Sequence, residues 1–483
     1  MKPFPLIAAL SLSLCGAAPA QAPEDAGQPG TPRPIEPMLD TQDFEEGEAP
    51  LWFPRTRFLG PAIETLQWIR SVAVETEHGL AWRADPADES APFDISLYSG
   101  SPGVILFGMD LARITGRDEH LELAKKAADD LIHRLPDTLE APGAAGLYTG
   151  AAGQSYVLFR LYEATGEARY LDAARGLFER ILASAGPREA DGRTIMWDGS
   201  TDIISGAAGI GLYLLYAQND FADVRARETA IAAGRWLASV GVKTDDAGGG
   251  LKWPFAAGSD RFMPNFAHGT AGVAHFLATL VIFTADESAR EAAFAGGRHL
   301  EAIANKDGGG RLVRHHDPRA GDDEEGDLFY LSWCHGPAGS ARAYYTLHLL
   351  NFDKPWLEAV HQAGKSVASA GLPEARTPGY WDNDGVCCGG AGVLNFAIDL
   401  YALTRDKSWM AFAERMGDDL VRRSIHDEKG RRWAHAEHRT RPEDVRAQVG
   451  MMQGAAGIGR ALLRIEAIAR NCDCLVKLPD TPF

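Results

Sequence analysis

Basic charge is in short supply in this 483-residue chain: 48 lysines and arginines face 66 aspartates and glutamates, a formal net charge of −18. That balance repels phosphate backbones and argues against nucleic acid as a partner. Cysteine is scarce too, with six in all, so the places where they stand carry information. The N-terminal apolar run from Leu6 to Leu14 is too short to cross a bilayer, and a membrane-spanning protein is not expected. A wholly disordered chain is excluded by 45% hydrophobic and 24% charged residues, an ordinary globular balance. Glycine, by contrast, is abundant. There are 52, where a typical share would give about 34.

The N-terminus joins a basic start at Lys2 to that apolar run and then to Ala17-Ala18-Pro19-Ala20-Gln21-Ala22. This is the pattern of a secretory signal peptide over residues 1–22, cut after Ala20 or Ala22, and it predicts an exported protein, periplasmic or secreted. Cys15 leaves a lipoprotein reading open, although Leu14 stands where lipid attachment calls for a small residue. Residues 23–50, rich in Pro, Glu, Gly and Asp, read as a disordered linker. One domain is expected over 51–483.

The glycines fall into seven x-G-x-x-G segments, whose first glycines are Gly100, Gly150, Gly206, Gly269, Gly336, Gly389 and Gly454. Each opens an apolar stretch such as Val104-Ile105-Leu106-Phe107, the mark of a buried helix. Between them lie amphipathic stretches. In Leu121 to Leu135 the apolar residues Leu121, Ala124, Ala128, Leu131, Ile132 and Leu135 recur at helical spacing, with Glu122, Lys125, Asp129 and Asp130 opposite. Similar stretches begin near Ile63, Tyr170, Val224, Ala289, Trp356 and Trp409, which makes seven of each kind. An open stack of such pairs needs polar caps at both ends. None is evident, and closing the array removes the ends. The expected fold is therefore all-α, an α/α toroid of seven inner and seven outer helices. The paired glycines would let crowded backbones approach and leave free N–H groups facing the centre.

Residues just before those glycines converge on one rim. At the two positions before the first glycine, four repeats carry only small, apolar or neutral polar residues; the others carry Ala267-His268, Cys334-His335 and Cys387-Cys388. Three thiolates near helix N-termini suit a zinc site with an open fourth position. A vicinal disulfide between Cys387 and Cys388, or plain buried cysteines, are the alternatives in an exported protein. Neither explains Cys334 at the equivalent place one repeat earlier.

At this point the residues carry a resemblance. The stretch from Pro61 to Ile468 is similar to the lanthionine synthetase C-like family, through Asp202-Ile203-Ile204-Ser205-Gly206, Ala267-His268-Gly269, Ser332-Trp333-Cys334-His335-Gly336 and Cys387-Cys388-Gly389. The resemblance implies a double toroid of fourteen helices, Zn2+ ligands at Cys334, Cys387 and Cys388, an acid–base histidine at His268 and an assisting carboxylate at Asp202. Many members of that family have Cys-His-Gly where Cys387-Cys388-Gly389 stands. A subgroup shares the three cysteines, and the third thiolate makes a zinc more electron-rich. An arginine often found four residues before the first zinc cysteine is replaced by Tyr330.

The implied activity is a zinc-dependent lanthionine-synthetase-like cyclase or thiol-addition enzyme, joining a cysteine thiol to a dehydroamino acid as a thioether. Its partner would be a dehydrated peptide or a thiol-containing small molecule, and with no length left for a fused dehydratase, a separate one is expected. A non-catalytic zinc protein that binds thiol peptides or glutathione is the alternative. A third reading, a carbohydrate-active toroid, needs paired carboxylates at the rim, for which only Asp202 and Asp382 or Asp384 are placed. Lesser candidates are His335 at the edge of the site, the Arg314-His315-His316-Asp317 stretch, read as a solvated loop ending in Asp322-Asp323-Glu324-Glu325, and the close pair Cys472 and Cys474. Trp197, Trp253, Trp381 and Trp433 precede inner helices and read as rim packing.

Overall fold

A computed structural model describes residues 57–187, 193–245, 248–318, 329–375, 383–436 and 441–483. The expected signal peptide and linker, the acidic run 322–325, Trp381 and Asp382 lie outside those residues.

Every glycine segment opens a helix of 15 residues: α2 (Ser101–Thr115), α4 (Ala151–Thr165), α6 (Ala207–Phe221), α8 (Thr270–Thr284), α10 (Pro337–Asn351), α12 (Gly390–Thr404) and α14 (Ala455–Ala469). These are buried nearly all round, as their sequences require. The intervening helices are amphipathic: α1 (Leu59–Ser71), α3 (Asp118–His133), α5 (Ala168–Ser184), α7 (Val224–Val240), α9 (Arg290–Ile303), α11 (Lys354–Ser369) and α13 (Lys407–Arg423). On α3, for example, Leu123, Ala124, Ala127, Ala128 and Leu131 face the core while Glu122 and Lys125 pair outside.

Each inner helix packs against its neighbours in chain order, and α14 returns to pack on α2, so the inner ring is closed. Each outer helix covers the inner helix before it; the exception is α1, which covers α14 and brings the N-terminal end of the domain onto the C-terminal repeat. There the Phe58 N–H donates to Glu466 Oε1 at 2.8 Å. The all-α toroid of seven inner and seven outer helices is thus the observed architecture.

Among the described residues there are five short antiparallel strand pairs, β1–β2 (Val74–Glu75, Leu80–Ala81), β3–β4 (Gly186–Pro187, Ile195–Met196), β5–β6 (Val242–Thr244, Gly250–Lys252), β7–β8 (Ile425–Asp427, Gly430–Arg432) and β9–β10 (His435–Ala436, Val445–Arg446), and helical periodicity gives no sign of them. Trp82, Trp197, Trp253 and Trp433, beside these hairpins, donate their indole N–H to Ile69, Ile181, Leu237 and Leu420, carbonyls in the last turns of outer helices. Those carbonyls lie in last turns, where helical partners run out, although Leu420 also accepts from the Ser424 N–H, so the indoles help complete helix ends rather than face a ligand.

The glycines answer a packing demand. A Cβ on Gly269 would lie 1.3 Å from the Met263 carbonyl oxygen, and one on Gly339 1.9 Å from that of Trp333. The chain before each inner helix folds back on its first turn, and this overturns one expectation from the sequence. The helix N–H groups are not free: Ala207 and Ala208 donate to Ser200 and Thr201, Gly390 and Ala391 to Asn383 and Asp384, and Ala455 and Ala456 to Gln448 and Val449, each seven residues upstream. The fold-back satisfies them before any ligand arrives.

The same fold-back builds a second ring. Main-chain bonds run from Tyr98 to Tyr148, Tyr148 to Ile204, Ile203 to Ala267, Ala267 to Cys334, Cys334 to Cys387, Cys387 to Met452 and Met452 back to Tyr98, at 2.8–3.2 Å. The positions before the glycines are therefore held in one register around the rim, apart from a one-residue slip from Ile204 to Ile203 in the third repeat. Inside the ring, buried Asp110 on α2 pairs with Arg460 on α14 at 2.6 Å, and Asp399 on α12 with Arg464 on α14 at 2.6 Å. The C-terminal segment enters the middle of the toroid. Asp480 accepts from Trp333 Nε1 at 3.0 Å and Tyr148 Oη at 3.1 Å, and its carbonyl from Arg342 at 2.9 Å. A cavity of about 140 Å³ beside it is lined by Arg342, Met451, Arg464 and Phe483, among others.

Candidate metal centre

Cys334 and Cys387 occupy the same rim position in successive repeats, two before the first glycine, and the main-chain bond from Cys334 N–H to the Cys387 carbonyl sets them side by side. Cys388 follows Cys387. Their sulfurs come together: Cys334 Sγ lies 3.2 Å from Cys388 Sγ, and Cys388 Sγ 3.4 Å from Cys387 Sγ. All three are buried free thiols, and among the described residues they form the one group of three or more cysteine, histidine or carboxylate ligand atoms within 4.8 Å of one another. A tetrahedral zinc with bonds of about 2.3 Å sets sulfurs about 3.8 Å apart, so the trio needs to open by only about half an ångström to fit one. Sulfur ligands without a carboxylate suit zinc among the common metals.

The trio shares its protons unequally. Hydrogen bonds from Cys334 and Cys387 hold the Cys388 thiol well below its ordinary value, against the effect of burial, with Gln453 and the charge of His268 adding to them. Burial, with hydrogen bonding toward its two neighbours, pushes Cys334 well up. The arrangement thus prefers a first negative charge on Cys388.

His268 stands in the repeat before Cys334, next to Ala267, whose N–H donates to the Cys334 carbonyl. Its Nδ1 donates to Asp202 Oδ2 at 2.6 Å. Asp202 is fully buried, and its other oxygen accepts the N–H groups of Ser205 and Gly206, both at 2.8 Å, at the start of α6. The carboxylate therefore has two tasks, closing a helix N-terminus and fixing the tautomer of His268 so that Nε2 is its basic nitrogen. The His268 ring packs 5.2 Å from Phe255 and 5.8 Å from His335.

Several residues around this centre were not legible as part of it. His315 and His316 are half-buried, and the His315 ring lies 4.3 Å from His335 and 5.1 Å from Tyr330. Asp317 anchors the segment by accepting from Lys252 Nζ at 3.0 Å and His299 Nε2 at 2.9 Å. His335 is buried, and desolvation, with the charges of His315, His268 and His316, holds it well below the usual histidine value. Tyr330 packs among these rings. From the repeats that looked plain, Gln453 Nε2 reaches Cys388 Sγ at 3.6 Å and Tyr98 Oη at 3.3 Å. Asp384, a candidate for the carbohydrate reading, is instead tied to Arg423 Nε at 2.7 Å. Cys472 and Cys474 are joined to each other, with Cα atoms 5.2 Å apart, away from the trio.

A closed helical toroid with a thiol trio on its glycine-lined rim defines a class of protein. The model of that class, the lanthionine synthetase C-like protein, matches residues 91–471, and the chain belongs to this family. Nisin cyclase has a similar structure, with a TM-score of 0.58 at 18% identity over 83% of this chain and 92% of that one. An alpha-1,6-mannanase from Salegentibacter sp. HEL1_6 covers 85% of this chain and 99% of its own at 16% identity, with a TM-score of only 0.47. No curated protein matches the sequence. No helix among the described residues is long and apolar enough to cross a membrane.

Proposed function

We propose that this protein is a zinc-dependent thiol-addition enzyme that joins a cysteine thiol to dehydroalanine or dehydrobutyrine as a thioether. The observation that carries the reading is the convergence of three buried sulfurs, within 4.8 Å of one another, on the rim that also holds the His268–Asp202 pair. Cys334, Cys387 and Cys388 would hold the metal. A zinc bound there acidifies a thiol brought to its open position.

The remaining steps belong to the chain. Asp202 keeps the Nδ1–H of His268, so Nε2 accepts the thiol proton as sulfur bonds to the β-carbon and the double-bond electrons move onto the α-carbon and its carbonyl. His268 then returns that proton to the α-carbon, which balances the addition. The substrate is a peptide carrying a dehydrated residue, supplied by a separate dehydratase, with a thiol from the same peptide or from a small molecule. We place this chemistry outside the cytoplasm on the N-terminal sequence alone.

Metal analysis and a thiol-addition assay on a dehydroalanine peptide test this. Cys334→Ala and Cys387→Ala are expected to lose zinc; His268→Ala is expected to keep zinc and fold while turnover falls about a hundred- to ten-thousand-fold. Full zinc content in the cysteine variants, or full turnover in His268→Ala, overturns the reading. A wild type that binds thiols but never adds them leaves a binding protein instead.

A further inference from the structure

The two rim positions that hold the cysteines and His268 are filled in the seventh repeat by Met452-Gln453 and in the first by Tyr98-Ser99. On the closed ring the seventh repeat adjoins the sixth, which carries Cys387 and Cys388, and the first adjoins the seventh. Gln453 and Tyr98 therefore reach the sulfurs from the side opposite His268.

An amide beside a sulfur is informative only if its orientation is fixed, since oxygen and nitrogen exchange on a flip. Here it is fixed from outside. The Gly385 N–H donates to Asn383 Oδ1 at 2.6 Å, which leaves Asn383 Nδ2 as the donor. That nitrogen donates to the Ala436 carbonyl and to Gln453 Oε1, both at 3.1 Å. With its oxygen occupied, Gln453 presents Nε2 to Cys388 Sγ at 3.6 Å and to Tyr98 Oη at 3.3 Å. Tyr98 Oη, accepting there, has its own hydrogen left to give, and a charge on Cys387 acts on that hydroxyl. Asn383 and Gln453 are buried, so a mismatched partner in this chain would be costly.

We propose that Asn383, Gln453 and Tyr98 form a directed chain of N–H and O–H donors onto Cys388 and Cys387, built to hold these two sulfurs as charged metal ligands. Three thiolates around a divalent ion leave one net negative charge in a buried place. Neutral donors disperse that charge without adding another ion. Gln453 and Tyr98 are positioning residues, because they act on the ligands rather than on substrate. The inference rests on the metal reading above.

Its test uses the full reduced chain, titrated with Zn2+ against a chromophoric chelator and with Co2+ by absorption. Gln453→Leu and Gln453→Glu are expected to bind both ions about 10- to 100-fold more weakly. Tyr98→Phe, which keeps the ring, is expected to move the sulfur-to-cobalt charge-transfer band to lower energy, because a thiolate that loses a donor gives up an electron more readily. Asn383→Asp, which cannot donate to the Gln453 oxygen, is expected to reproduce part of the Gln453→Leu loss. Helix content by circular dichroism should be unchanged in Tyr98→Phe. A wild type that loads while all the variants load with the same affinity and the same band overturns this inference and spares the metal reading. A wild type that takes up neither ion overturns both.

Discussion

His275 is a histidine with one use for its ring and no room for a second proton. It lies on the buried side of α8, where Thr346 Oγ1, whose hydrogen goes to the Arg342 carbonyl, accepts from Nδ1 at 2.8 Å. Its Nε2 is buried without a partner among the described residues. Burial, and then the charge of Arg342, push its pKa down to about 3. The unfolded chain binds a proton there near 6.5, so the stability it contributes is complete above that value and falls as pH drops toward 3, by about 1.4 kcal/mol per unit. Between pH 7.5 and 4.5 the wild type should therefore lose about 2–3 kcal/mol more than His275→Gln in urea unfolding. Equal losses would show that the site accommodates the imidazolium. At this scale, what the sequence makes legible depends on rarity. Cys334, Cys387 and Cys388 stand out because cysteine is scarce and they share a register. Gln453 and Tyr98 share that register too, but a glutamine and a tyrosine before a glycine carry no mark of their task. The nearness of His315 to the rim was not legible because charged neighbours suggested solvent, whereas Asp317 ties the half-buried segment inward.

The helix N-terminus is the element on which the site is built. In six of the seven segments, all but the one at Gly103, the second glycine lies under the carbonyl six residues before it; for Gly339 that carbonyl belongs to Trp333, the residue preceding Cys334. Gly339→Ala forces a contact at 1.9 Å onto main chain that cannot yield without moving Cys334. Such overpacking typically costs about 1–3 kcal/mol. The variant should melt earlier and also lose metal, whereas an alanine at Gly60, where nothing lies within 4 Å, should do neither. Retained zinc in Gly339→Ala would mean that the cysteine loop moves independently of the helix. The period of these helices was legible because glycine recurs at fixed offsets. The hairpins were not, since strands of two or three residues have no periodicity to display, nor was the satisfaction of the helix N–H groups, which depends on a fold-back of seven residues rather than on local propensity.

At the scale of the whole molecule, the seam between the last inner helix and the first decides whether the ring is closed. Two contacts mark it: α1 lying over α14, and the buried pair of Asp110 and Arg460. Burial pushes the Asp110 carboxyl up even with Arg460 against it, so the pair is a poor source of net stability. Breaking it is another matter, because one charge is left behind. Arg460→Ala should cost about 3–5 kcal/mol, with fluorescence and circular dichroism reporting one coincident urea transition, since a ring without ends has no place to fray. Separate transitions by the two probes would place the seam outside the cooperative unit. Closure itself could be inferred from the missing end caps. The circle of main-chain bonds on the rim could not, because side-chain pattern says nothing of which carbonyl an amide will choose.

That circle has a consequence for how such proteins diversify. Because each rim amide answers to the next repeat's carbonyl, the frame asks nothing of the side chains it displays. Two of these per repeat work like addresses on a dial, whose backbone placement does not depend on the letter written there. A new ligand set, a new base or a new recognition group can be installed at one address while the others keep their bearings. The chemistry of the toroid is thus a matter of spelling, and its geometry is inherited unchanged.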